Sequence, residues 1–261
     1  MEPWRFASRS NGVKPRLGAE RAARVERYVM VMGVAQRYLR VQEELALECA
    51  RAGRSPEEVC LVAVSKTVDI DAVDQAICAG GSDFGENRPD ELMRKAEAFP
   101  NVNWHFIGNI QSRRIPDIVK SARLVHSLFQ ESHARKIEVA AAKLGKVQDV
   151  LLEVNVSGEQ SKSGVEPACA PELLSVCASL PHVRVRGLMT MAPQGDLQVA
   201  REVFEELAHL KQVLQGKLDP QAAAAFDGLS MGMSEDWREA VAAGATIVRI
   251  GRAVFSDAFE E

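Results

Sequence analysis

Apolar residues fall into two alternating rhythms along this chain. From Val34 to Ala52, Tyr38, Val41, Leu45 and Cys49 recur at spacings of three and four, which predicts an amphipathic helix closed by Gly53. Ser55-Pro56-Glu57-Glu58 reads as a turn or short helix start. Cys60-Leu61-Val62-Ala63-Val64 is then a continuous apolar run rich in β-formers, the pattern of a strand covered on both faces. A helical pattern from Asp69 to Ala79 ends at Gly80-Gly81. Further short strands are expected at Ser82–Gly85, Trp104–Ile107, Leu124–Ser127, Asp149–Val156, Val183–Met189, Gly228–Met231 and Ile247–Ile250. Helical stripes separate them, such as Ala134, Ile137, Ala141 and Leu144, or Phe204, Leu207, Leu210 and Leu214.

Strands that alternate with helices imply an α/β fold with a parallel sheet covered on the outside. Eight such units close into a single (β/α)8 TIM barrel; an open doubly wound sheet is the competing arrangement. No Pro/Ser-rich linker divides the chain, so residues 34–261 are expected to form one barrel domain. Residues 1–33 read differently. Arg5, Arg9, Arg16, Arg21, Arg24 and Arg27 meet few acids and follow no apolar period, as in a disordered, dispensable extension.

Composition narrows the function classes. The net charge of −4 over 261 residues argues against nucleic acid as a partner, because backbone-phosphate binding needs a basic surplus. No apolar run approaches the roughly 18 residues of a membrane span. The five cysteines are odd in number and form no C-x-x-C pair, so reduced thiols serving as small buried hydrophobes in a cytoplasmic protein are expected. The five histidines match no zinc spacing, and no metal is expected. No exposed apolar seam stands out, which favours a monomer.

Barrels of this class carry their chemistry after the C-terminal ends of the strands. After the first strand comes Ser65-Lys66-Thr67. A lysine there would reach over the barrel mouth, where a water-poor setting favours a neutral, nucleophilic amine; the bland reading is a lysine that snorkels to solvent. After the seventh and eighth strands come Ser234 and Gly251-Arg252, a hydroxyl and glycine-exposed N–H groups that suit a phosphate. Barrel closure places these loops beside Lys66, so one ligand with an aldehyde and a phosphate would satisfy both. Arg249 precedes Gly251 by two and faces the same way; alternatively it pairs with a barrel carboxylate. His105 and His126 are better read as hydrogen-bonded barrel histidines than as catalysts. Arg113-Arg114 reads as a solvated helix face. Lys162 lies in a polar loop, facing water or a second phosphate.

Taken in order, Leu61-Val62-Ala63-Val64-Ser65-Lys66-Thr67, Phe84-Gly85-Glu86-Asn87, Trp104-His105-Phe106-Ile107-Gly108, Asn155-Val156-Ser157-Gly158-Glu159, Ser161-Lys162-Ser163-Gly164, Gly187-Leu188-Met189, Leu229-Ser230-Met231-Gly232-Met233-Ser234 and Val248-Arg249-Ile250-Gly251 resemble the pyridoxal phosphate homeostasis protein family. The resemblance runs from about residue 34 to 256. It implies a barrel similar to the N-terminal domain of alanine racemase, with pyridoxal 5′-phosphate (PLP) bound as a Schiff base to Lys66. It also implies Arg249 opposite the pyridine nitrogen, and a phosphate held by Ser234 and the backbone of Gly251 and Arg252. Asn87 would lie near the ring. Beside a pyridine nitrogen, the charge of Arg249 disfavours protonation and leaves the ring a poor electron sink. Arg88-Pro89 stands where the family usually has tyrosine after Asn87, and Ser256 where it usually has glycine.

The resemblance implies a role in intracellular vitamin B6 and amino-acid homeostasis, holding PLP for buffering or delivery to PLP-dependent apo-enzymes, without a reaction of its own. The alternative is a PLP-dependent amino-acid racemase. In related racemases a tyrosine from a second, β-rich domain supplies the opposing base. The tyrosines of this chain, Tyr28 and Tyr38, both precede the barrel, and no such domain is expected after it. A phosphate-binding barrel with no vitamin B6 link is a third possibility on fold grounds.

Overall fold

A computed structural model describes residues 33–159 and 162–259. The extension expected over residues 1–33 lies, but for Gly33, outside them. Eight parallel strands close into a barrel in sequence order: β1 Cys60–Val64, β2 Asp83–Glu86, β3 Asn103–Phe106, β4 Leu124–Leu128, β5 Gln148–Glu153, β6 Val183–Met189, β7 Gly228–Ser230 and β8 Ile247–Ile250. The seam is made by β1 and β8, with Cys60 opposite Ile247 and Val62 opposite Arg249. This excludes the open doubly wound sheet.

The strands read from their apolar runs sit where expected. The fifth is the exception: it stops at Glu153 rather than continuing to Val156. Val154 makes only an isolated bridge to Val165, and the Asn155 amide donates to the carbonyls of Glu159 and Lys162, which turns the chain into a loop. A short polar side chain has here replaced ladder bonds with local ones.

Helix α1, Val34–Arg51, buries Val34, Tyr38, Val41, Leu45 and Cys49, one stripe at helical spacing. Ser55 starts a single 3₁₀ turn with a capping box to Glu58. Helix α2, Ile70–Cys78, follows β1 and starts at Asp69, whose carboxylate accepts the Ile70 N–H. Two apolar layers result. Alternate strand residues such as Leu61, Ala63, Val248 and Ile250 pack outward against the helices. The others point inward, where Cys60, Val62, Leu124, Leu151, Met189 and Ile247 fill the barrel interior. Three cysteines, Cys49, Cys60 and Cys177, are buried as expected, but Cys78 and Cys169 are exposed on helices, and none of the five is bridged. Among the described residues no helix is long and apolar enough to cross a membrane.

One contact fixes the spacing of β6 and β7. Gly187 has φ +148°, and a Cβ built there would lie 1.9 Å from the carbonyl oxygen of Gly228. The two strands therefore approach more closely than any side chain at 187 would permit.

Candidate functional site

A cleft of about 380 Å³ opens at the C-terminal ends of the strands, and Lys66, Asn87, Ser234, Arg249, Gly251 and Arg252 all line it. These come from four separate strand ends: β1, β2, β7 and β8. Barrel closure alone brings them together, because β1 pairs with β8.

Lys66 leaves the sheet one residue after the fully buried Ser65 and stands exposed at the rim. The water-poor setting expected for it is therefore absent. The reason is local: the chain turns here, with Val68 N–H bonded to the Ser65 carbonyl, which lifts Lys66 clear of the strand.

That turn is held from below by a residue not expected to take part. Helix α3, Pro89–Ala98, delivers Lys95 into the protein, where it is fully buried. Its ammonium donates to the Ser65 carbonyl at 2.8 Å, the Val68 carbonyl at 2.8 Å and Glu86 Oε1 at 2.6 Å. All three protons of the ammonium are thus used. Ser65 Oγ donates to the same Glu86 oxygen at 2.6 Å. The visible sign in the sequence is a lysine on the apolar stripe of a helix, between Leu92 and Phe99.

Across the cleft, Ser234 Oγ accepts from the N–H of Gly251 at 3.3 Å and of Ala253 at 3.5 Å. A Cβ at position 251 would meet the Val64 carbonyl oxygen at 3.2 Å, so glycine leaves backbone open on this wall. The Arg252 side chain does not turn to these groups. It pairs with Glu235 at 2.8 Å and lies over the Phe259 ring.

Arg249 is buried inside the barrel. Its Nη1 donates to Ser230 Oγ at 2.6 Å and its Nη2 to the Thr190 carbonyl at 3.0 Å. Burial pulls the guanidinium down to about 10, while the charges of Asp236 and Glu153 act the other way. It therefore stays cationic at neutral pH. The carboxylate pairing held open for it is replaced by two neutral oxygens. Glu153 is itself pushed up by burial, against a hydrogen bond from Ser163 and the Arg249 charge.

His105 and His126 are both fully buried and hydrogen-bonded, as expected of barrel histidines. His105 Nε2 lies 3.0 Å from Asp83 Oδ1, and its Nδ1 lies 2.9 Å from His126 Nε2; His126 Nδ1 lies 2.9 Å from Ser230 Oγ. Burial raises the Asp83 carboxyl, but hydrogen bonds from His105, Ser82 and Asn103 act the other way, and its pKa ends below the ordinary value. A lowered folded-state pKa stabilises the fold above the unfolded value of about 3.9. That stability drains away as pH falls toward the folded value. The stability gap between wild type and Asp83→Asn, measured by urea unfolding, is expected to be widest above about pH 4 and to narrow below it. A gap that widens on acidification would contradict the assignment.

Lys162 is half-buried in its loop, its ammonium 3.2 Å from Glu159 and 3.3 Å from the Met191 carbonyl. Arg114 is taken up by Asp90 and Asp117. Among the described residues no cluster of His, Cys, Asp or Glu could hold a metal.

Known proteins resemble this chain in sequence and fold. Residues 45–258 match the family model described as alanine racemase, N-terminal domain. The chain is 39% identical over 229 residues to the pyridoxal phosphate homeostasis protein of Aquifex aeolicus, covering 87% of this chain and 99% of that protein. It is 36% identical to the protein of that name from Escherichia coli K12, covering 85% and 95%. The structure of PipY from Synechococcus elongatus with PLP bound superposes with a TM-score of 0.70 at 32% identity, over 81% of this chain and all of that one.

Proposed function

The chain belongs to the pyridoxal phosphate homeostasis protein family, and from that premise we propose that it binds pyridoxal 5′-phosphate in the cleft over Lys66 and serves intracellular vitamin B6 balance. The observation that carries the proposal is the meeting of an exposed amine with an anion-suited wall in one cleft, in a chain whose relative of like sequence and fold is solved with PLP bound.

The residues present fit that ligand. When bound, PLP supplies an aldehyde that links reversibly to a primary amine. Lys66 offers such an amine at the rim, on a turn whose backbone is pinned by Lys95. Ser234 and the backbone N–H groups of Gly251 and Arg252 stand on one wall of the cleft, and they would hold the phosphate oxygens. Arg249 would meet the ring nitrogen as a fixed cation and donor. Asn87 stands at the rim beside Gly108. Val64, Ile107 and Met191 supply apolar wall.

A carrier suits this site better than a catalyst. A permanent cation near the ring opposes the protonation that carbanion chemistry needs. A racemase also needs a second base opposite the lysine. Among the described residues the one tyrosine, Tyr38, is buried at the other end of the barrel, in a cavity lined also by Cys60 and Asp83. The protein would act as a cytoplasmic monomer that buffers PLP and releases it to apo-enzymes by exchange of amines.

The visible spectrum of the purified protein incubated with PLP is the test. We expect an absorption band that borohydride bleaches into a stable adduct on Lys66, and that Lys66→Ala abolishes. A colourless protein, or a band that survives Lys66→Ala, would refute the proposal. Loss of α-deuterium from alanine well above the rate with free PLP would refute the carrier reading alone.

A further inference from the structure

The polar residues inside the barrel form one line. Asp83, His105, His126, Ser230 and Arg249 are linked by four consecutive contacts of 3.0, 2.9, 2.9 and 2.6 Å. Asp83 opens on the cavity at the N-terminal ends of the strands, while Arg249 lines the cleft at the other end. The line therefore traverses the interior.

With both imidazoles neutral and Asp83 ionised, one arrangement of hydrogens satisfies every contact. Arginine has only donors, so Ser230 Oγ must accept from Arg249. The single serine hydrogen goes to its other contact, His126 Nδ1; a donating Nδ1–H there would instead force a second proton onto His105 for it to reach Asp83. His126 Nδ1 is then an acceptor and the ring proton sits on Nε2, facing His105 Nδ1. His105 Nδ1 must accept, which puts its proton on Nε2, facing Asp83. Asp83 is the terminal acceptor, and Ser82 Oγ donates to its second oxygen at 2.7 Å. Every donor meets an acceptor, and every bond runs the same way. A cation stands at the head of the line and a carboxylate at the foot.

We infer that His105 and His126 are positioning residues for Arg249: both hold the Nε2–H tautomer, and together they commit the Ser230 hydrogen away from the cleft, so that Arg249, anchored on Ser230, turns its remaining N–H donors to a ligand there. The functional half of this inference rests on PLP binding in the cleft; the tautomers do not. A second proton on His126 would set two donors against each other, because its Nδ1 already receives the serine hydrogen. Burial and the charge of Arg249 also disfavour that proton. The groups facing His126 are His105 from β3, Ser230 from β7 and Arg249 from β8. The aligned chain polarises each bond in turn, so a break at one link is felt at Arg249.

Imidazole ¹⁵N correlation spectra of the ligand-free protein near pH 7, assigned with His105→Gln and His126→Gln, test the first half. Both rings are expected as the Nε2–H form. A Nδ1–H ring, or a doubly protonated His126, would overturn the chain whether or not PLP binds. Ser230→Ala and Ser230→Thr test the second half. The alanine variant is expected to lose PLP affinity by about tenfold or more and to move the pH midpoint of the visible band; threonine, which keeps the hydroxyl, should restore both. If Ser230→Ala matches wild type in affinity and pH profile while wild type binds PLP, the positioning role is wrong. If no variant, wild type included, binds PLP but the tautomers hold, the failure belongs to the proposed ligand and not to the chain.

Discussion

Replacing Lys95 by methionine is expected to cost about 3–5 kcal/mol of folding stability, the range found when one partner of a buried ion pair is removed. Methionine fills much of the same volume, so the loss is electrostatic. Glu86 would be left as a fully buried carboxylate with only the Ser65 hydroxyl as partner; its Oε2 already has none among the described residues. The carbonyls of Ser65 and Val68 would lose their ammonium donor at the same time. Urea unfolding of wild type and variant at one pH checks this. A loss below about 1 kcal/mol would mean that the pair is not closed as described. Adding Glu86→Gln should recover part of the loss, because it removes the stranded charge. The damage should also reach the ligand. The turn carrying Lys66 would be free to move, and PLP should leave the folded variant faster than the wild type, a difference that stopped-flow absorbance can read.

Gly187→Ala is expected to be at least as harmful. Two penalties combine. The residue has φ +148°, a region that side chains other than glycine rarely adopt, at about 1–3 kcal/mol. The new methyl would also fall on the Gly228 backbone, at 1.9 Å from the oxygen and 2.6 Å from the carbon, which demands movement of a whole strand at about 1–3 kcal/mol more. No rotamer can relieve a clash between a Cβ and a carbonyl. Gly53→Ala is the control: its φ is also positive, but nothing lies within 4 Å of a built Cβ. Its cost should therefore be limited to backbone strain. Equal losses in the two variants, by thermal or urea unfolding, would show that the approach of β6 to β7 is not tight. Because β7 leads into the loop with Ser234, Gly187→Ala should also weaken PLP binding in whatever fraction remains folded.

Much of this molecule is legible in its sequence. Strand runs such as Cys60–Val64 are apolar at every position, because a barrel strand is covered on both faces; a sheet with one wet face would alternate instead. The residues of the cleft follow from one rule, that barrel chemistry collects after the strands, applied to Lys66, Ser234, Arg249 and Gly251. The features that the sequence hides depend on partners distant along the chain. Lys95 reads as an ordinary helix lysine until Glu86 and the Ser65 carbonyl are placed beside it. The exposure of Lys66 is hidden because it depends on a turn, not on strand alternation. His105 and His126 can be recognised as barrel histidines. Their connection to Arg249 depends on Ser230, which stands 104 positions from His126.

The seam between β1 and β8 has a consequence for how the protein is made. Lys66 leaves the ribosome long before Gly251 is synthesised. At ~5–20 residues per second, the interval is on the order of ten seconds or more. Throughout it, the nascent chain carries the amine without the opposing wall and without the strand that locks β1 in place. A ligand that needs both walls can therefore be held only once β8 has paired with β1, and a chain cut before β8 should leave Lys66 with no wall opposite it.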